Sequence, residues 1–195
     1  FEPVGFIAVN VFQNNVTNLH RSSQISAAEY GYVGDRDLSN YTFFTTTGSA
    51  DETKIRGMEI EFRQTLSFLP RPFKSLTFRS SYTRNYAEVV IPNMSPHSAT
   101  AGLSYAWRRL NLYSNLTWND NVPFNIENTV FVRHRTNVDI GGGFRLTNRV
   151  ELFFTARNVF DAHHIRIATR AGAPDHGPRT DVWGTPWVVG VKGRF

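Results

Sequence analysis

The last nine residues, "WVVGVKGRF" (187–195), decide how the rest of the chain is read. In an extended strand, Trp187, Val189, Val191, Gly193 and Phe195 fall on one face. Val188, Gly190, Lys192 and Arg194 fall on the other. Side chains alternate across a strand, so one face is apolar with an aromatic at each end, and the other is small or cationic. Soluble chains usually finish in a few loosely held polar residues. Here the alternation runs through to Phe195.

The same period of two recurs upstream. In "NRVELFFTARNVF" (148–160), Val150, Leu152, Phe154 and Ala156 oppose Glu151, Phe153, Thr155 and Arg157. In "NVDIGGGFRL" (137–146), Val138, Ile140 and Phe144 oppose Asp139, Gly141 and Arg145. The pattern continues in "LNLYSNLTWN" (110–119), "HSATAGLSYAW" (97–107), "SLTFRSSYTRNY" (75–86) and "GMEIEFRQTL" (57–66). A first strand over 6–14 is less clear, because "FIAVNVF" is apolar on both faces. The reading gives eight strands of about ten residues, the length that crosses a bilayer at a tilt. Soluble strands are typically about five or six residues.

Connections alternate in length. "WRRLN" (107–111), "LTNRV" (146–150) and the slightly longer "FLPRPFKS" (68–75) are short, whereas about 15–54, 87–97, 119–131 and 160–183 are long and polar. Short turns at one end and long loops at the other define an outer-membrane β-barrel, with turns in the periplasm and loops outside. Trp107, Phe144 and Phe195 then lie at periplasmic strand ends, and Trp118 and Trp187 near extracellular ends. Rings favour these two interfaces. A soluble β-sandwich would place the same residues in a core.

Composition narrows the alternatives. Hydrophobic residues are 41% and charged residues 19%, which excludes general disorder. The net charge of +5 comes largely from arginines spread over many segments, so a nucleic-acid partner is not expected. There is no cysteine, which removes disulfides and cysteine chemistry. No Ser-His-Asp spacing, carboxylate dyad or metal-helix motif stands out, so neither an enzyme nor a bound cofactor or metal is expected. "GGG" (141–143) lies inside a strand pattern with no helix after it, unlike a phosphate loop.

Several stretches resemble the C-terminal part of TonB-dependent outer-membrane receptors. "ETKIRGMEIEF" (52–62) resembles the family's Gly-hydrophobic-Glu strand through Gly57, Met58 and Glu59. "IPNMSPHSATAGLSYAW" (91–107) is similar to its Pro-x-His strand start at Pro96 and His97. "VDIGGGFRL" (138–146) is similar to the Val-Asp strand that follows. "ARNVFDAHH" (156–164) resembles the Asn-Leu-Phe-Asp segment, with Val159 in place of leucine. "VGVKGRF" (189–195) is similar to the terminal strand. The resemblance covers about 55–195, while 15–54 matches no motif of the family.

The resemblance implies a large barrel of about 22 strands with a plug. This chain would supply about eight of those strands, all within one barrel domain over 1–195, with plug and earlier strands upstream. It implies a Gram-negative outer-membrane location and uptake of a scarce nutrient such as a ferric siderophore, cobalamin or glycan, energised by the TonB complex. It further implies outer-membrane lipid as a partner, and recognition of Phe195 by the barrel-assembly machinery. A self-contained eight-stranded barrel and a soluble glycan-binding sandwich are the alternatives. His163, His164, Arg166, Arg170, His176 and Arg179 crowd one loop and are the candidate ligand contacts. Asp139, Glu151, Arg157, Lys192 and Arg194 are expected in the lumen, paired with each other or with the plug.

Overall fold

The computed structural model describes residues 5–26, 31, 34, 36–37, 42–48, 52–126, 128–168 and 179–193. The wall is built from β1 (Gly5–Val16), β4 (Thr53–Thr65), β5 (Thr77–Ala87), β6 (His97–Trp107), β7 (Leu110–Asn119), β10 (Arg135–Arg145), β11 (Val150–Ala156) and β14 (Trp187–Gly193). They form one eight-stranded sheet in the order β1-β4-β5-β6-β7-β10-β11-β14, every pair antiparallel. These are the eight strands that the alternation marks. Among the described residues β1 and β14 stand at the two edges, so the eight do not close on themselves.

The register sorts every alternating pattern onto two faces. Ile7, Ile60 and Tyr82 stand on the same face as Leu103, Ile140, Leu152 and Val189. That face is uncovered: Ile7 is 71% exposed, Val11 74%, Val189 67% and Val191 64%. Among the described residues no large side chain is fully buried. The chain exposes 14356 Å². A soluble protein of this mass would expose about 9,400 Å² by surface scaling. A β-sandwich would bury its apolar face between two packed sheets at about 10 Å separation. Among the described residues no second sheet covers that face, which removes the sandwich alternative.

The opposite face carries Asn10, Glu59, Glu61, Arg63, Ser81, Thr100, Asn115 and Lys192. Its polar groups bond across strands: Arg79 Nη2 donates to Asn115 Oδ1 at 2.6 Å, and Ser81 and Thr100 hydroxyls meet at 2.7 Å. Its aromatics lie over glycines on the neighbouring strand. Phe12 covers Gly57, Tyr113 covers Gly141, and Phe153 covers Gly190. A ring fills the gap that a glycine leaves in the sheet surface. The "GGG" run is thus read by its neighbours. Gly141 seats a ring on the polar face, and Gly142 faces Leu112 and Phe154 on the apolar one.

The long connections have structure of their own. β2 (His20–Ser26) and β3 (Thr42–Gly48) form a hairpin within the connection between β1 and β4. β8 (Val122–Pro123), β9 (Val130–Val132), β12 (His164–Ala168) and β13 (Arg179–Asp181) form a four-stranded sheet in the order β13-β12-β9-β8. The short connections hold only turns, one with a 3-10 segment at Phe73–Ser75.

Candidate functional site

The small loop sheet joins the connections after β7 and β11, and it carries His164, Arg166 and Arg179, three of the six candidate ligand contacts. Antiparallel pairing sets His164 opposite Asp181, Ile165 opposite Thr180, and Arg166 opposite both Arg179 and Val132. His164, Arg166, Arg179 and Asp181 therefore share one face. Ile165, Ile167 and Phe131 share the other. Arg166 lies over the Phe124 ring at 4.3 Å, a cation–π contact. Its Nη2 is 4.0 Å from Asp181 Oδ2, and Arg179 Nε is 3.3 Å from Asp181 Oδ1. Arg166 Nε is buried and has no partner among the described residues. Such an arrangement holds two guanidiniums on one carboxylate and leaves a positive face for an anion.

His163 is not part of this face: its Nε2 is 3.3 Å from Asp161 Oδ2, at the start of the loop. Arg170 and His176 lie outside the described residues. The linear sequence did not single out Asp181 and Phe124, which hold Arg166. Among the described residues no three His, Asp or Glu side chains come together as a metal-binding group.

The segment at 157–161 anchors the loop. Asn158 adopts a left-handed conformation (φ 49°), which asparagine tolerates better than most residues. Its Oδ1 accepts from Ala162 N at 2.8 Å. Its Nδ2 donates to Ala162 O and Gly184 O, each at 3.3 Å. Its carbonyl accepts from Thr185 Oγ1 at 2.9 Å. Its own N–H donates to Asp139 Oδ1 at 2.8 Å. β11 therefore ends at Ala156, one residue short of the alternation read to Arg157. Replacing Asn158 by alanine orphans three bonded groups and is expected to cost about 1–2 kcal/mol. Limited proteolysis should then cut 157–168 sooner and leave the wall strands intact.

Among the described residues the charges expected in the lumen form no ion pair with each other. Among the described residues the ion pairs are His163–Asp161, Arg166–Asp181 and Arg179–Asp181, all in the loops. Asp139 instead holds the Asn158 turn. Lys192 stands opposite Glu151 in register, but its Nζ lies 4.8 Å over the Phe153 ring. Arg157 follows the end of β11, and Arg194 is outside the described residues.

The ring-bearing ends fall where alternation put them. Trp107 (41% exposed) and Phe144 (44%) stand on the apolar face at the short-turn rim. Trp187 (72% exposed) and the half-buried Trp118 stand on that face at the long-loop rim. Phe195 is outside the described residues. Rings at both ends of an exposed apolar band fit the pattern of a bilayer-spanning wall.

A family model described as TonB dependent receptor-like, beta-barrel matches residues 1–159. The match takes in β1 and the long 15–54 connection, which the motif resemblance left out, and it stops before the terminal strand. No curated protein matches the chain. With an uncovered apolar face, rings at both strand ends, alternating short and long connections and this match over most of its length, the chain belongs to the β-barrel family of TonB-dependent outer-membrane receptors.

Proposed function

We propose that this chain forms about eight consecutive strands of the wall of a larger outer-membrane transport barrel. That barrel takes up a scarce nutrient, a ferric siderophore, cobalamin or glycan, with energy from the TonB complex acting through a plug. One observation carries the reading: a single eight-stranded sheet with an apolar outer face and two unpaired edges. Edges in the hydrocarbon region are not tolerated, so β1 and β14 each need a partner, which in this reading the neighbouring strands of the larger barrel supply. In this reading the lumen face, with Glu59, Glu61, Arg63 and Arg79, looks onto the plug. The loop sheet presents His164, Arg166 and Arg179 to an incoming anionic ligand.

The test is the mass of the protein extracted from its native membrane in detergent, run on a gel with and without heating. A heat-modifiable species several times larger than 22.2 kDa is the expected outcome. A heat-modifiable band near that mass would mean a small closed barrel and would overturn the transport reading. The loop assignment has its own check. In ligand-binding titrations, Arg179→Ala should weaken an anionic ligand by about tenfold, the order of one charge-assisted bond. Unchanged affinity would remove this face from the ligand site.

A further inference from the structure

The short-turn rim is cationic in a way the linear sequence hides. The three described turns carry Arg71, Lys74, Arg108, Arg109 and Arg149 and no carboxylate. Arg109 is committed to the neighbouring turn, its Nη1 donating to Leu146 O at 3.1 Å. Arg71, Lys74 and Arg108 join no carboxylate among the described residues. These three line a recess of about 510 Å³ together with Trp107. The Arg108 guanidinium stacks 4.8 Å from the centre of the Trp107 ring.

Trp107 stands on the lipid face, two residues below Tyr105 on β6. Tyr105 belongs to a second feature, a groove of about 290 Å³ on that same face. The groove forms because Ser114 is small between Leu103 and Ile140, its register partners, with Leu112 and Phe154 as further walls. The Phe73 ring, in the turn between Arg71 and Lys74, lies 6.3 Å from the Tyr105 ring, which lines the groove.

A cationic recess at the membrane boundary, followed inward by an apolar groove, matches one molecule: a lipid with an anionic head and an acyl chain. The depth selects the leaflet, because the recess lies at the short-turn end, which faces the periplasm. We propose that Arg71, Lys74 and Arg108 bind the headgroup phosphate of an anionic glycerophospholipid of the periplasmic leaflet, with one acyl chain in the groove over Ser114. The inference rests on the membrane-barrel reading. Basic side chains beside interfacial aromatics are suited to phosphate at this depth.

The experiment uses the whole receptor in detergent and native mass spectrometry. Phosphatidylglycerol and phosphatidylethanolamine with identical acyl chains are added in turn. Wild-type protein should keep the first at least tenfold better. R71Q/K74Q/R108Q should bring its retention down to that of the second. Ser114→Phe, which fills the groove, should lower retention of both, and millimolar inorganic phosphate should fail to displace bound lipid. Equal retention of the two lipids overturns the proposal, as does a triple variant that holds phosphatidylglycerol like wild type. Displacement by phosphate alone would reduce the site to an anion site and also overturn it. Loss of a co-purifying acidic protein from a triple variant that still holds lipid would make the rim a protein interface instead. Each variant is run on the heat-modifiability gel. Lipid indifference in a heat-modifiable barrel sinks only the lipid site, whereas a protein soluble without detergent sinks the barrel itself.

Discussion

Arginine at Val189 is expected to cost about 2–4 kcal/mol of folding stability toward the bilayer midplane, and arginine at Val188 about 0.5 kcal/mol or less. The two positions are adjacent valines on β14, at nearly the same depth, 67% and 55% exposed. They differ only in the face they occupy. Val189 pairs with Phe154 on the lipid side, while Val188 pairs with Thr155 on the lumen side. A guanidinium on the lipid side must lose its water or drag a defect into the hydrocarbon. One on the lumen side stays wet. Denaturant unfolding of the receptor folded into lipid vesicles gives both numbers. Equal costs at the two valines would mean that neither face meets lipid. Leu152→Arg and Thr155→Arg on β11 should repeat the contrast.

Gly142→Val should destabilise the wall by about 1–3 kcal/mol, and Gly141→Ala by clearly less. The glycines are neighbours on β10, and what a Cβ would meet differs. At Gly142 the nearest atom is the backbone oxygen of Asn111, 2.6 Å away, with Leu112 close behind. Backbone cannot yield without changing the spacing of β7 and β10. At Gly141 the neighbour is the Tyr113 ring, the far part of a side chain that can swing into the lumen. The same unfolding measurement decides it. A Gly142 variant as stable as wild type would show that the strand spacing there is soft.

The eight wall strands were legible because the period-two signal of a membrane wall is one-sided. Residues such as Val9, Ile60, Leu103 and Ile140 need no protein partner, so their pattern is not blurred by packing against a second layer. The loop strands were not legible. β8 is Val122–Pro123, β9 is Val130–Val132 and β13 is Arg179–Asp181, too short to show any alternation. They exist because the connections that rise from β7 and β11 pair with each other, which is a tertiary fact. β11 ends within one residue of the alternation read to Arg157, because Asn158 turns left-handed and hands the chain to the loop.

Of the candidate site, the sequence marked the crowd of His and Arg but not its arrangement. Register alone puts His164, Arg166 and Arg179 on one face and leaves His163 with Asp161. The cationic rim was hidden by the opposite illusion. The turn with Arg71 and Lys74, the turn with Arg108 and the turn with Arg149 are far apart in the chain, so the arginines looked evenly spread. Antiparallel hairpins bring every second connection to the same end, and the charges gather there.

Apart from the two edges, each wall strand bonds only to the wall strands that precede and follow it along the chain. Sheet growth can therefore proceed as a zipper, one hairpin at a time, each step closing a short loop at small entropic cost. The connections at 17–52 and 157–186 are the long exceptions; the β2–β3 hairpin draws the middle of the first together and the β12–β13 pairing that of the second, which shortens the loops that β1 and β4, and β11 and β14, must close. The slow event is left for the outer margins of β1 and β14, which are unpaired among the described residues. Insertion would thus pause as an open, curling sheet, and the rate of forming the final seam, rather than of pairing these eight strands, would limit maturation.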